Sequence, residues 1–250
     1  MRIGYDAKRI FHNTTGLGNY CRDMIRILSS YYPDDQYVLY NPKPAKVHRL
    51  QADGKKVIEQ LPSKWYWKWL NSIWRQGPIL HQIKKDGIEI YHGLSGELPR
   101  GITNSGVKSI VTIHDLIFVT HPHLYRSIDR KIYFNKFKYA ADQADIVIAI
   151  SEYTKQQVIN HLGIDTNKIE VVYQTCHPVF KKSIIENDQK QPLDLPETYI
   201  LMVGTIEHRK NALSLIRAIN NSKYNVVLVG RKTKYQKEID TYIENHGLAN

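Results

Sequence analysis

The stretch YILMVGTIEHRKN, residues 199–211, predicts a strand, a loop and the start of a helix late in this 250-residue chain. Its apolar run ends at Gly204, and a polar loop with two adjacent cations, Arg209 and Lys210, follows. A helical pattern then opens near Asn211. A strand–loop–helix unit of this kind predicts that a second α/β domain begins here.

The residues before this stretch alternate in the same way. Short β-branched runs predict strands at 2–6, 36–41, 88–93, 108–115, 145–151 and 169–173. Amphipathic patterns predict helices at 17–31, about 64–84, 125–142 and 152–162. Several of the strands are apolar throughout, as is typical of a parallel sheet with both faces covered. Residues 1–180 are therefore predicted to form a doubly wound, Rossmann-like α/β domain.

The alternation of strands and helices stops at residues 181–197, where polar residues and prolines predict an interdomain linker. Residues 198–250 then restart the pattern with a strand, a helix, a second strand at 224–230 and a helix from about 233. Two strands and two helices bury too little surface to be stable alone. Either 198–250 therefore packs on the first domain, or the chain is a fragment of a longer protein.

The bulk composition excludes several classes of protein. Hydrophobic residues make up 42% and charged residues 24% of the chain, which is typical of a globular protein. No apolar run approaches the roughly 18 residues that span a bilayer, and the first residues show no secretory signal pattern. The two cysteines cannot form a disulfide framework and fit a reducing compartment. We expect a cytoplasmic protein.

Positive charge is concentrated in residues 43–85, which hold ten Lys/Arg and two Asp/Glu, a net charge of +8. This excess favours an anionic partner, although a solvated basic surface explains it equally well. The segment KWYWKWLNSIW, residues 64–74, contains all four tryptophans. Tryptophan with lysine is typical of a helix at a membrane surface, whereas core packing is the commoner fate of such a helix.

Two glycines, Gly16 and Gly18, precede a helical pattern that becomes clear near Asn19. Glycine permits close approach of the backbone, and a helix N-terminus offers free N–H groups to an anion. A phosphate site is one interpretation and a flexible turn is the other. The dinucleotide fingerprint would require a third glycine where Cys21 stands, which argues against a nicotinamide cofactor.

His114 and Asp115 lie at the carboxyl end of the strand predicted at 108–115, at the sheet edge where ligands bind in open α/β folds. A histidine there can bond a sugar hydroxyl or a developing charge. His121 and His123 follow two residues apart, but without a well-spaced third ligand a polar turn is a better interpretation than a zinc site. Arg209 and Lys210 form a candidate diphosphate clamp at the start of the later helix, with a solvent-facing loop as the alternative.

The chain resembles retaining glycosyltransferases of family 4, which have the GT-B fold of two facing Rossmann-like domains. The matching stretches are TTGLGNYCRDMIRIL (14–28), IYHGLSGELP (90–99), VTIHDLIFVTHPHLY (111–125), IVIAISEYTKQQV (146–158), IEVVYQTCHPVF (169–180) and MVGTIEHRKNALSLIRAI (202–219). They occur in the family's order, and the resemblance that they define extends from residue 14 to residue 219, which is most of the chain.

The resemblance implies that residues 1–180 form the acceptor-side domain and that 198–250 begin the nucleotide-sugar domain. It places Gly16 and Gly18 against the donor diphosphate and His114 near the donor sugar. Lys210 takes the position of the diphosphate-binding lysine. The family often has an arginine where this chain has Thr205, so Arg209 is expected to supply that charge.

The activity that the resemblance implies is transfer of a hexose from a nucleotide diphosphate sugar to a saccharide or lipid-linked acceptor, with retention. The process expected is synthesis of cell-surface polysaccharide, in the cytoplasm or at the inner face of the cell membrane. No metal and no cofactor are expected beyond the donor substrate. The family's pair of glutamates, seven residues apart, would lie beyond Asn250, so we expect this chain by itself to be inactive.

A second hypothesis is a non-catalytic module that binds an anionic membrane through the basic, tryptophan-rich 43–85 region. Binding to nucleic acid is not expected, because no recognition motif accompanies the charge.

Overall fold

The computed structural model describes residues 1–45, 47, 50, 56–177, 180 and 194–248. The chain divides into two compact units, residues 1–181 and 182–250. Most of the predicted linker at 181–197 lies outside the described residues, which resume at Asp194.

In the described part of the first unit, seven parallel strands form one sheet. They are β1 (Arg2–Asp6), β2 (Gln36–Tyr40), β3 (Val57–Gln60), β4 (Ile90–Gly93), β5 (Lys108–Ile113), β6 (Ile146–Ala149) and β7 (Ile169–Val171). Their spatial order is β3-β2-β1-β4-β5-β6-β7, so the direction of sheet growth reverses between β1 and β4. This order confirms the predicted doubly wound fold, whose ligands bind beyond the carboxyl ends of the strands at such a reversal.

Helices cover both faces of this sheet. They are α1 (Lys8–His12), α2 (Gly16–Tyr31), α3 (Asn71–Gln76), α4 (Ile79–Lys85), α5 (Ile117–Thr120), α6 (Ser127–Gln143) and α7 (Glu152–Leu162). Strand β2 shows why the strands are apolar throughout. Its Tyr37 and Leu39 pack with α1 and α2, whereas Val38 and Tyr40 pack in the cluster formed with α3, α4, α6 and α7.

The helix predicted over 64–84 is broken into three elements. A 3-10 turn, Trp65–Lys68, precedes α3, and α3 is separated from α4 by Gly77 and Pro78. Proline disfavours helical geometry in the residue before it, and Gly77 has φ −161° and ψ −58°. The helical structure predicted at about 64–84 is therefore present, divided into three short elements. The short elements β3, α1 and α5 were not predicted, because four or five residues carry little periodicity.

The second unit contains β8 (Tyr199–Val203), α8 (Ala212–Ile219), β9 (Asn225–Val229) and α9 (Gln236–Asn245) in its described residues. The two strands are parallel. Its small core consists of Ile206, Ala212, Ile216, Tyr235 and Ile239. Three apolar strand residues, Leu201, Val203 and Val229, are exposed. The unit therefore has a packed core and an uncovered apolar surface on its sheet.

Candidate active site

His114 directly follows β5, and its imidazole is held from both sides. Nε2 lies 3.0 Å from the carbonyl oxygen of Leu94, which follows β4. Because a carbonyl can only accept a hydrogen bond, this contact assigns the proton to Nε2. Nδ1 then accepts from the side-chain amide of Gln174, 3.0 Å away. The ring of Tyr20 meets the imidazole edge-on, with centroids 4.6 Å apart.

The electrostatic surroundings keep His114 neutral. Burial lowers the pKa of the His114 imidazole and outweighs the opposing effects of the Leu94 carbonyl and of Asp115. A neutral ring with its proton on Nε2 presents Nδ1 as an acceptor. In this structure that acceptor is occupied by Gln174, so a ligand hydroxyl must displace the amide in order to reach it.

Asp115 is exposed beside His114. One carboxylate oxygen accepts a hydrogen bond from the backbone N–H of Ile117, at 3.3 Å, where α5 begins. The side chain therefore helps to start a helix, and it lines the same cavity as His114.

That cavity, about 230 Å³ in volume, opens at the carboxyl edge of the sheet, and we call it the switch-point cavity. Its polar lining comes from residues that follow β1, β4 and β5, namely Arg9, Ser95, Glu97, His114 and Asp115. The first two of these strands flank the reversal in strand order. Ligands of doubly wound sheets bind at this position.

The rest of the lining of the switch-point cavity is mainly aromatic. It is formed by Phe118, Tyr125, Tyr133 and Phe137. The ring of Phe118 packs against Phe137 and Tyr133, with centroids 5.1 Å and 5.8 Å apart. Apolar walls with a few converging polar groups are typical of small-molecule sites. A sugar ring, with apolar C–H faces and a polar rim, matches this lining.

The charged groups around the cavity are not equally available to a ligand. Glu97 pairs with Arg75 at 3.3 Å and with Lys136 at 3.5 Å. Arg75 is itself buried against Asp6, the last residue of β1. Arg9, in contrast, makes no side-chain hydrogen bond or ion pair with any residue that the structure describes. It is therefore a cation available to an anionic or hydroxyl-rich ligand.

The glycines differ from the sequence-based expectation. Helix α2 begins at Gly16 rather than near Asn19, so both glycines lie inside its first turn. The N–H of Gly18 already donates to the carbonyl of Thr15, at 2.9 Å, and to Oδ1 of Asn13, at 3.0 Å. A Cβ on Gly18 would lie 2.2 Å from the Asn13 carbonyl oxygen, whereas Gly16 has open space around it. Gly18 thus serves close packing of the loop, and Gly16 is the exposed one.

Arg209 and Lys210 lie in the second unit, on a 3-10 turn, His208–Lys210, between β8 and α8. The Arg209 guanidinium donates to a Glu207 carboxylate oxygen at 2.8 Å. Lys210 is exposed and, among the described residues, has no side-chain partner. Asn211 has φ 54° and leads directly into α8. The diphosphate clamp formed with Gly16 and Gly18 stays a prediction.

Residues 14–176 match the model of glycosyltransferase family 4. The chain belongs to this family. O-antigen chain mannosyltransferase B of Escherichia coli is 27% identical over an alignment of 244 residues, gaps included, which covers 87% of this chain and 59% of the relative. O-antigen chain mannosyltransferase RfbU of Salmonella typhimurium strain LT2 is 26% identical over 136 residues, 53% of this chain and 35% of the relative. The chain thus spans about three fifths, or less, of these relatives.

Among solved structures, the lipopolysaccharide outer core galactosyltransferase WaaB, in its apo form, superposes with a TM-score of 0.57 at 15% identity. The match covers 99% of this chain and 66% of WaaB. At this identity the likeness concerns the fold alone. The chain has the α/β architecture of GT-B glycosyltransferases, as its motifs predicted.

Several cavity residues of this family 4 chain escaped the sequence analysis. Arg9, Ser95 and Glu97 line the cavity with His114, yet only His114 and Asp115 were predicted. Arg9 lies three residues beyond β1, and Ser95 lies two residues beyond β4. His114 was selected because it lies at the carboxyl end of a predicted strand, and the same criterion would have selected Arg9 and Ser95.

In this family 4 chain, His123 lies on an exposed 3-10 turn, Pro122–Leu124, and His121 directly precedes that turn. The rings of His121 and His123 are 6.1 Å apart and edge-to-face. In the described ranges no group of three or more His, Cys, Asp or Glu side chains is arranged to hold a metal ion. This arrangement fits a polar turn better than a zinc site.

Proposed function

We propose that the protein is a mannosyltransferase of cell-surface polysaccharide synthesis. It would transfer mannose from a nucleotide diphosphate donor to a saccharide or lipid-linked acceptor. Membership of family 4 supports glycosyl transfer, and the O-antigen mannosyltransferases among its relatives support mannose. The observation that carries the proposal is the switch-point cavity, where His114 and Arg9 face an aromatic wall at the ligand-binding edge of the sheet.

In the proposed complex a sugar ring packs its C–H faces on Phe118 and Phe137. The Nδ1 atom of neutral His114 accepts a hydrogen bond from a sugar hydroxyl after Gln174 has moved aside. Arg9 donates to a hydroxyl or phosphate oxygen. Asp115 is placed to accept a hydrogen bond from a further hydroxyl. These contacts orient the sugar and exclude water from the reacting carbon.

We propose that Lys210 and Arg209 bind the donor diphosphate. Positive groups stabilise the charge that develops on the leaving diphosphate, which lowers the barrier to transfer. We propose Lys210 as the stronger contact, since Arg209 already shares its charge with Glu207.

We further propose that transfer proceeds with retention of anomeric configuration, without a cofactor, on the cytoplasmic side of the membrane. The chain spans 59% of O-antigen chain mannosyltransferase B, and the β8–β9 sheet has an uncovered apolar surface. We therefore propose that this chain alone does not catalyse sugar transfer and that transfer requires additional polypeptide. The alternative of a non-catalytic module is less favoured, because family 4 consists of glycosyltransferases.

The test uses a protein that spans the full length of its relatives. It is incubated with a panel of nucleotide sugars and a lipid-linked saccharide, and the products are examined by mass spectrometry and NMR. We expect a mannosylated product with the anomeric configuration of the donor. Transfer from a galactose donor but not from a mannose donor would refute the sugar assignment. Absence of transfer from every donor would refute the assignment as an active glycosyltransferase.

A further inference from the structure

Four large apolar side chains within nine residues of the first unit are exposed. Trp65 is 73% exposed, Trp69 82%, Leu70 46% and Ile73 53%. Here they are called the tryptophan patch. Isolated exposed apolar residues are normal, whereas a cluster of large ones marks a surface that contacts something.

The segment that carries the patch is anchored to the protein. Trp74 is 2% exposed, and Trp67 packs against the same core cluster from the 3-10 turn. The backbone N–H groups of Trp69 and Leu70 both donate to the carbonyl of Tyr66, at 3.1 Å and 3.2 Å. Two tryptophans therefore fix the segment while the other two point outward. Trp65 and Trp69 are therefore exposed on a folded, anchored segment.

The sequence segment that carries the tryptophan patch has formal charge of one sign. Residues 60–85 contain no Asp or Glu. Lys64 is exposed immediately before the patch, and Lys84 and Lys85 are exposed at the end of α4. Arg75 does not contribute, because it is buried in its ion pair with Asp6. Among the described side chains of residues 60–85, the exposed charge is thus lysine, in the same segment as the exposed indole and aliphatic side chains.

We propose that the tryptophan patch docks the protein on an anionic lipid bilayer. Indole rings partition to the level of the headgroups, and lysines beside them are attracted to anionic lipid. Leu70 and Ile73 supply aliphatic surface for acyl chains, which a nucleic acid could not use. A second copy of the chain fits poorly, because two patches face to face would bring lysines against lysines. This inference rests on the surface alone and does not depend on the proposed sugar or on turnover.

The distribution of tryptophan makes the test direct. All four tryptophans lie within residues 65–74, so the intrinsic fluorescence of the protein reports on this segment without a label. The 250-residue chain is mixed with vesicles of phosphatidylcholine, or of equal parts phosphatidylcholine and phosphatidylglycerol. We expect sedimentation with the anionic vesicles, a blue shift of the emission and protection from acrylamide quenching. Added salt should weaken this binding, because it screens the lysines.

Matched variants separate the tryptophan patch from the rest of the surface. The double variant W65S/W69S is expected to lose affinity for anionic vesicles by at least tenfold, since it removes the two exposed indoles that would be buried in the bilayer. Y153S removes a ring that is 66% exposed on α7 and is expected to bind like the wild type. K64S is expected to lose about fivefold, and K237S, at an exposed lysine of α9, to lose little.

The outcomes that would overturn the proposal are distinct. Wild-type protein that binds neither vesicle, or W65S/W69S that binds as tightly as the wild type, would refute the docking surface. Equal, salt-independent binding to both vesicles would refute the role of anionic lipid. A blue shift without lipid, growing with protein concentration alongside sedimentation as a dimer, would assign the patch to self-association. Quenching of the wild type needs no variant and so is independent of any folding defect.

Discussion

The Nε2 atom of His114 lies 3.0 Å from the carbonyl oxygen of Leu94, so one hydrogen bond joins the residues that follow β5 and β4. This bond selects the tautomer and leaves Nδ1 facing Gln174. Together with burial, which lowers the pKa of His114, it presents a neutral acceptor at the switch-point cavity. The proposed role of His114 is therefore orientation of a sugar hydroxyl rather than transfer of a proton.

Replacing His114 by Ala in the full-length transferase should lower kcat/KM by about 100-fold or more, as for loss of one preorganised polar contact in a transition state. Replacing Gln174 by Ala should cost far less, because that amide is displaced by substrate. His123→Ala, on an exposed turn, is the control and should retain activity. Steady-state kinetics and thermal unfolding are measured together. A H114A variant with wild-type turnover would contradict the role.

Arg9→Gln should lower kcat/KM by about tenfold to 100-fold, the range for loss of one hydrogen bond to a charged group. The fold should be little affected, because within the described residues Arg9 makes no side-chain bond. Arg126→Gln, at an exposed arginine, is the matched control. If R9Q and R126Q have the same kinetics, Arg9 does not contact substrate.

The two glycines should respond differently to alanine. Gly18→Ala places a Cβ 2.2 Å from the Asn13 carbonyl oxygen, so we expect a loss of about 1–3 kcal/mol in the free energy of unfolding. Gly16→Ala meets nothing within 4 Å and should be neutral, or stabilising by up to about 1 kcal/mol. Urea titration of both variants measures the difference. Equal stability would show that the loop yields to the added methyl group.

Asp6→Asn should lower the free energy of unfolding by about 3–5 kcal/mol, because the buried Arg75 loses its principal counter-charge. Burial opposes ionisation of Asp6, but Arg75 and the Lys8 N–H outweigh it and lower the pKa of the carboxyl. The stabilisation is thus present above the unfolded-state pKa and is lost as pH falls toward the lower folded-state value. Asp23→Asn, in a more exposed pair with Arg26, should cost at most about 1 kcal/mol. Similar losses in the two variants would contradict the buried role.

His92 should make the fold acid-sensitive. Burial, with a smaller effect of His114, lowers the pKa of His92 to about 3, and its Nε2 lies 2.9 Å from Thr112 Oγ1. Below the ordinary histidine pKa the unfolded chain binds a proton that the native chain excludes. Stability should therefore fall from about pH 6.5 toward pH 3, by up to about 1.4 kcal/mol per pH unit.

The variant His92→Gln should flatten part of this slope in urea unfolding followed from neutral pH to about pH 5. The control His123→Gln, at an exposed side chain, should stay within about 0.5 kcal/mol of the wild type at neutral pH. An unchanged slope in H92Q would assign the acid sensitivity to other groups.

Long elements were predictable because their patterns are local. The apolar strands β1, β2 and β5 and the amphipathic helix α2 lie within a few residues of their predicted positions. The tryptophan segment was not predictable in the same way. Local composition could not distinguish the anchored Trp67 and Trp74 from the exposed Trp65 and Trp69, because packing against the sheet decides which rings are covered.

In the candidate site, too, some residues could be predicted from the local sequence and others could not. The position of His114 after an apolar strand marked it in the sequence, since the ends of parallel strands share one edge of the sheet. Its partners Leu94 and Gln174 were not marked, because they lie 20 and 60 residues away along the chain. Strand order brought them together.

The sequence by itself determined the α/β class, the family 4 motifs and the residue types available at each strand end, because periodicity and motif spacing are properties of neighbouring residues. Only the tertiary structure decided that Arg9, Glu97 and His114 share one cavity and that Gly18 has no room for a side chain. The physical reason is that hydrogen bonds, ion pairs and steric contacts form between atoms that are close in space. In a parallel sheet, crossover connections separate such atoms widely along the chain.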